Sequence, residues 1–134
     1  MFITQIQSNL ILPRPGVYRV YATGFGCRRL YGVDESGLLY IGEATNIQRR
    51  LSNLKSACNT EMDWPWSHRK EKHVFGGKLF FFMELNPVLF PDAFHPSNLS
   101  VEFEYCDNHH QREKELIMEY RRLYGELPPY NHAQ

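Results

Sequence analysis

The sequence has no surplus charge, no long apolar run and no paired cysteine motif, and each absence removes a class of protein. Fifteen Lys and Arg cancel fifteen Asp and Glu. That balance argues against a general polyanion-coating protein, whose domain is usually basic. It leaves room for nucleic-acid binding, because local patches carry the field. No apolar run approaches membrane-spanning length, and no basic stretch followed by an apolar core opens the chain, so neither a membrane anchor nor a secretory leader is expected. Cys27, Cys58 and Cys106 are odd in number, far apart and without a CxxC pair. A disulfide framework is therefore not expected, and a reduced, cytoplasmic protein is the simplest expectation. Gly24–Phe25–Gly26 lacks the rest of a dinucleotide fingerprint, and there is no Gly-rich phosphate loop. Internal repeats and low-complexity segments are also missing.

What remains is 134 residues, 43% hydrophobic and 14% aromatic. Such a chain is most simply one domain, 1–134, with a real core. Pro13 and Pro15 exclude regular pairing in residues 1–15. GVYRVY (16–21) alternates and is rich in β-formers, so it predicts a strand. Residues 22–37 carry the glycines and turn residues of a long hairpin connection, and LLYIGE (38–43) predicts the second strand. A helix follows: Thr45 and Gln48 stand at capping-box spacing, and Ile47, Leu51, Leu54 and Cys58 recur at helical spacing. Residues 59–77 read as loop, 78–85 as a buried strand, 86–98 as a proline-bearing loop and 99–106 as a strand. From His109 to Tyr124 the spacing is helical again, and Gly125 stops it. The order β-β-α-β-β-α predicts an α/β (α+β) fold, a small and mostly antiparallel sheet flanked by helices.

Two charges fall on the wrong faces of these helices. Arg50 lies three after Ile47 and four before Leu54, on the flank of the first apolar stripe, whereas Arg49 points to the wet side. Glu113 lies four before Ile117 and seven before Tyr120, inside the stripe that Tyr124 continues. An unpaired buried charge costs several kcal/mol, so each needs a partner, a metal or water. Two arrangements satisfy that need. One is a structural Arg50–Glu113 ion pair, or side chains that snorkel past the core edge. The other is a cleft where the carboxylate holds Mg²⁺ or Mn²⁺ and the guanidinium meets a phosphate.

GVY at 16–18 and YIG at 40–42 resemble the two halves of the signature of GIY-YIG nucleases. Arg50 stands eight residues after Gly42, where that family keeps its arginine. EKELI at 113–117 resembles the family's glutamate helix, and PPYN at 128–131 resembles its terminal asparagine motif. Five elements in this order span nearly the whole chain. The resemblance implies a metal-dependent endonuclease acting on DNA, double-stranded or branched. It implies that Glu113 binds a single Mg²⁺ or Mn²⁺ and that Tyr18 helps to activate water, its pKa lowered by Arg50 and the metal. Tyr40 would orient, Arg50 would stabilise the phosphate, and Asn131 would hold the site by hydrogen bonding. A homodimer would suit restriction-type cleavage.

This chain departs from the family's pattern in three ways. The span from Tyr18 to Tyr40 is long, so 22–37 is an insertion placed to reach substrate or a partner chain. Glu43 is acidic where many members keep lysine or glutamine. The arginine helix has no histidine, a place for which Lys78 or His73 would substitute.

Further DNA contacts are sought among basic and aromatic residues. Trp64 and Trp66 beside Arg69, Lys70, Lys72 and His73 suit base stacking and phosphate contact, and equally suit a tryptophan-anchored loop with solvated charges. Arg28 and Arg29 in the insertion read equally as phosphate contacts or surface charge, and Arg49 adds a cation beside Arg50. His109 and His110 read as the opening of the last helix. No histidine or cysteine pair has convincing zinc-ligand spacing, so a structural zinc is not expected.

Overall fold

The computed structural model describes residues 1–24, 26–58 and 98–131. Its core is a three-stranded antiparallel sheet in the order β4-β1-β5. β1 (Gly16–Ala22) is central, with β4 (Leu38–Ala44) on one side and β5 (Leu99–Tyr105) on the other. The alternation of GVYRVYA places Tyr18, Val20 and Ala22 on one face and Val17 on the other, all buried. A two-sided core follows, covered by α1 (Ile47–Cys58) on the Tyr18 face and α2 (His109–Tyr124) on the Val17 face. The class is the expected one, a small antiparallel sheet flanked by two helices.

The pairing of β1 with β4 slips at one point. Tyr18 faces Gly42 and Val20 faces Tyr40, but Tyr21 faces Leu38, so Leu39 is the extra residue of a bulge. Leu39 and Tyr40 thus both join the α1 side of the core, while Leu38 joins the α2 side. The two glycines of the GVY and YIG stretches are needed for close approach. A Cβ on Gly16 would run into the Glu104 carbonyl oxygen, and one on Gly42 into the Tyr18 ring and hydroxyl.

α1 buries Ile47, Leu51 and Leu54 completely. Each such side chain stabilises the fold by roughly 1.5–3 kcal/mol. Its N-cap differs from the expected Thr45: the Arg49 N–H donates to Asn46 Oδ1 at 3.0 Å. Gln48 does not close a capping box but donates to the Ser8 carbonyl at 2.8 Å. α2 ends as its sequence predicts, with Gly125 left-handed (φ 80°) and donating to the Arg121 carbonyl at 2.8 Å.

Two regions carry structure beyond what their sequence specified. Residues 1–15 form short 3-10 turns at Ile3–Gln5 and Ser8–Leu10, and they bury Ile3, Ile6 and Ile11 against α1 and the sheet. The insertion 22–37 folds as a second hairpin, β2 (Cys27–Arg29) with β3 (Gly32–Asp34). It packs on the C-terminal end of α2, where the Tyr31 N–H donates to the Tyr124 carbonyl at 3.0 Å. The buried Asp34 carboxylate ties it down, accepting from the Tyr120 hydroxyl (2.9 Å), the Leu38 N–H (3.2 Å) and Ser36.

The expected loop at 59–77 and strand at 78–85 lie outside the described residues, as does the loop at 86–98 except for Asn98. Among the described residues no helix is long and apolar enough to cross a membrane.

Candidate active site at the edge of β4

β1 occupies one side of β4, and among the described residues the tail after α2 approaches the other. Tyr130 N–H donates to the Leu39 carbonyl at 2.9 Å. Asn131 then takes both polar groups of Ile41: the Ile41 N–H donates to Oδ1 at 2.9 Å, and Nδ2 donates to the Ile41 carbonyl at 2.8 Å. One side-chain amide thus stands in for a strand partner at the centre of the YIG stretch. Beyond it, towards Gly42 and Glu43, described groups from both faces of the sheet approach the edge.

From the α1 face come the two tyrosines and Arg50. Tyr18 and Tyr40 are diagonal neighbours on adjacent strands, with ring centroids 6.1 Å apart. The missing Cβ of Gly42 lets the Tyr18 ring cross over β4, and its hydroxyl donates to the Tyr40 oxygen. Arg50, in the first turn of α1, is half-buried and close enough for its charge to bear on both phenols. From the α2 face comes Glu113, also half-buried, whose charge bears on both tyrosines. The residues that sequence periodicity and motif singled out, Tyr18, Tyr40, Arg50, Glu113 and Asn131, therefore gather around one stretch of strand edge.

Their charges do not cancel one another. Among the described residues neither the Arg50 nor the Glu113 side chain makes an ion pair or hydrogen bond, so the structural Arg50–Glu113 pair is not formed. Burial raises the Glu113 pKa, and the neighbouring Glu43 carboxylate raises it further. Two carboxylates pressed together in partial burial are what a divalent cation relieves, so the donor set fits the Mg²⁺ or Mn²⁺ that the resemblance implies.

Burial is the largest influence on both tyrosines. Burial holds the Tyr18 pKa well above its ordinary value, and the neighbouring Tyr40 adds to this. Arg50 pulls the other way without prevailing. Burial and then Glu113 also raise Tyr40, which Arg50 and the hydrogen bond from Tyr18 partly offset. A phenol lowered by Arg50 is thus not found at position 18. Tyr18 is 1% exposed and hydrogen-bonded to Tyr40.

Sequence reasoning missed the role of Glu43. Its Oε2 lies 3.1 Å from His109 Nδ1 and 2.6 Å from His110 Nδ1, and the two imidazoles lie 4.4 Å apart between ring centroids. Glu43 shares the face of β4 that carries Ile41, which α2 covers, so its contact with the start of α2 follows from the sheet register. Position 43 carried a signal, an acid where lysine or glutamine was expected. Its partners, 66 and 67 positions later, had none.

The other sequence candidates are scattered. Arg49 is exposed on the far side of α1, and Arg28 is exposed on β2. Arg29 is not a surface charge: it donates to the Leu127 carbonyl at 2.5 Å and pairs with Glu126 at 2.9 Å, pinning the insertion to the tail. The hairpin packs on the last turns of α2, at Tyr120 and Tyr124, roughly 10–16 Å along the helix axis from Glu113 at 1.5 Å per residue. The insertion therefore lies away from this site. Trp64, Trp66, Arg69, Lys70, Lys72, His73 and Lys78 are outside the described residues.

No family model, curated protein or solved structure matches this chain. The chemistry of the site rests on its own residues.

Proposed function

We propose that this chain is a metal-dependent endonuclease of the GIY-YIG type, hydrolysing phosphodiester bonds in DNA. One observation carries the proposal. An arginine and a glutamate, 63 positions apart in sequence and both unpaired among the described residues, bear on the same tyrosine pair without neutralising each other. A fold that needed them only for stability would have paired them, since each half-buried charge left alone is costly.

In this assignment Arg50 binds the scissile phosphate through its forked donors and stabilises charge developing on it. Glu113 would hold the divalent cation, which supplies Lewis acidity and acidifies bound water. Tyr18 stays protonated and fixes the Tyr40 ring through its donated hydrogen bond. Tyr40, the more exposed of the two, orients the attacking water. Asn131 keeps the Ile41 backbone in place, and with it the position of Tyr40 one residue before.

A second reading, a nucleic-acid-binding module without catalysis, is favoured by one feature. Glu43 adds a negative charge beside Glu113, where a phosphate must approach. Cleavage of supercoiled plasmid and branched oligonucleotides with Mg²⁺, Mn²⁺ or EDTA separates the two. Metal-dependent nicking by the wild type, lost in folded Arg50→Ala and Glu113→Ala proteins, is the expected result. DNA binding without cleavage on any substrate would replace the nuclease by the binding module.

A further inference from the structure

The contact of Glu43 with two adjacent histidines is unusual in its donor geometry. A single carboxylate oxygen, Oε2, faces both Nδ1 atoms, at 3.1 and 2.6 Å, and the three ligand atoms lie within 4.8 Å of one another. A tetrahedral ion with bonds of about 2.1 Å sets its ligand atoms about 3.4 Å apart. Each imidazole nitrogen thus needs to move away from the Glu43 oxygen by less than about 1 Å to match that spacing, on the same arithmetic. His109 is 7% exposed and held by its place at the start of α2, whereas His110 is open to solvent. The site is therefore anchored on one side and accessible on the other.

The electrostatics agree with a cation. The N-terminus of α2 carries positive partial charge and by itself would repel one. Glu43 offsets that charge, and so does Glu113, which lies near enough to Glu43 to feel its charge. Glu113 also follows His109 by four residues, on the same side of the helix. Two imidazole nitrogens with one carboxylate suit Zn²⁺, Co²⁺ or Ni²⁺, while Mg²⁺ and Ca²⁺ prefer oxygen alone. Three protein ligands leave a fourth position for water, the pattern of a catalytic more than a structural site.

We propose that Glu43, His109 and His110 form a binding site for a divalent transition-metal ion of the Zn²⁺ class. It rests on side-chain geometry and does not require the nuclease assignment, whose cation is placed at Glu113.

The test is binding to the full chain after chelator treatment, followed by calorimetry with Zn²⁺ and with Mg²⁺ and by the visible spectrum with Co²⁺. One equivalent of Zn²⁺ is expected, with a Co²⁺ spectrum of four-coordinate nitrogen and oxygen ligation. His110→Ala alters an exposed side chain, so that variant is expected to fold. It and Glu43→Gln should each weaken Zn²⁺ binding at least about tenfold, while Glu113→Gln keeps Zn²⁺ affinity within about threefold of wild type. Absence of Zn²⁺ binding in the wild type would overturn the proposal. So would Zn²⁺ affinity unchanged by His110→Ala and Glu43→Gln. Since the readout is binding, loss of the site and loss of the nuclease assignment are separate outcomes.

Discussion

Gly42→Ala places a methyl group inside the volume that the Tyr18 ring occupies. The new Cβ would meet the Tyr18 Cζ and hydroxyl oxygen well inside contact distance, and Cε1 at 2.7 Å. Tyr18 cannot swing away freely, because it is 1% exposed and packed in the core with Ala44, Ile47 and Leu51. The methyl must therefore displace the ring or β4 itself. Overpacking of this kind costs about 1–3 kcal/mol. For a domain of this size that is a fall in Tm of about 4–12 °C. The same displacement separates Tyr18 from Tyr40, so DNA cleavage should fall by more than stability alone explains. The assay is denaturant unfolding of Gly42→Ala in two backgrounds, wild type and Tyr18→Leu. The shorter leucine removes most of the clash, so the cost of Gly42→Ala should shrink by at least about 1 kcal/mol there, a coupling that only neighbours show. Equal cost in both backgrounds, or a Gly42→Ala protein as stable as wild type, would refute the claim that Gly42 exists to let Tyr18 cross the strand.

Three further predictions concern other parts of the site and its supports. Glu113→Gln should stabilise the metal-free protein at neutral pH, by on the order of 0.5–1 kcal/mol after allowance for solvent screening, while abolishing Mg²⁺-dependent cleavage. The pH dependence follows from the raised Glu113 pKa. The stability it contributes is fully present below the ordinary glutamate value and is lost as pH rises through the folded value, so the wild type should lose ground to Glu113→Gln across that window in thermal melts. Asn131→Ala removes two hydrogen bonds to Ile41 and should cost about 1–2 kcal/mol, with faster amide exchange at Ile41 and Tyr130 as its local signature. Tyr120→Phe leaves the buried Asp34 carboxylate without one donor and should cost about 1–3 kcal/mol; a neutral effect in urea unfolding would show that Ser36 and Leu38 suffice.

Much of the fold is written locally. Alternation in 16–22 and 38–44, helical spacing in 47–58 and 109–124, and Gly125 as a stop are properties of short windows, because a strand repeats every two residues and a helix every 3.6. The same wheels place Arg50 and Glu113 on inward flanks, and the two half-buried charges are found there. Other features depend on which segments meet, and no window contains that information. The Asn46 cap prevails over Thr45 because β4 runs on to Ala44, leaving Thr45 and Asn46 as the link to α1. The bulge at Leu39 turns Leu39 and Tyr40 to the same side of the sheet, against the alternation of the strand. Arg29 becomes a pin because the hairpin lands on the tail after α2. Burial decides the phenol pKa, outweighing an arginine that the sequence had rightly put nearby. Glu43 meets His109 and His110 only because β4 and α2 pack together, bringing positions 66 and 67 apart in the chain within hydrogen-bonding distance. The sequence by itself determined the elements and the inward charges, since periodicity is a local property of the chain. The tertiary structure alone decided which charges remain unpaired and which carboxylate stands between two imidazoles, since those depend on register and on the path of the chain between elements.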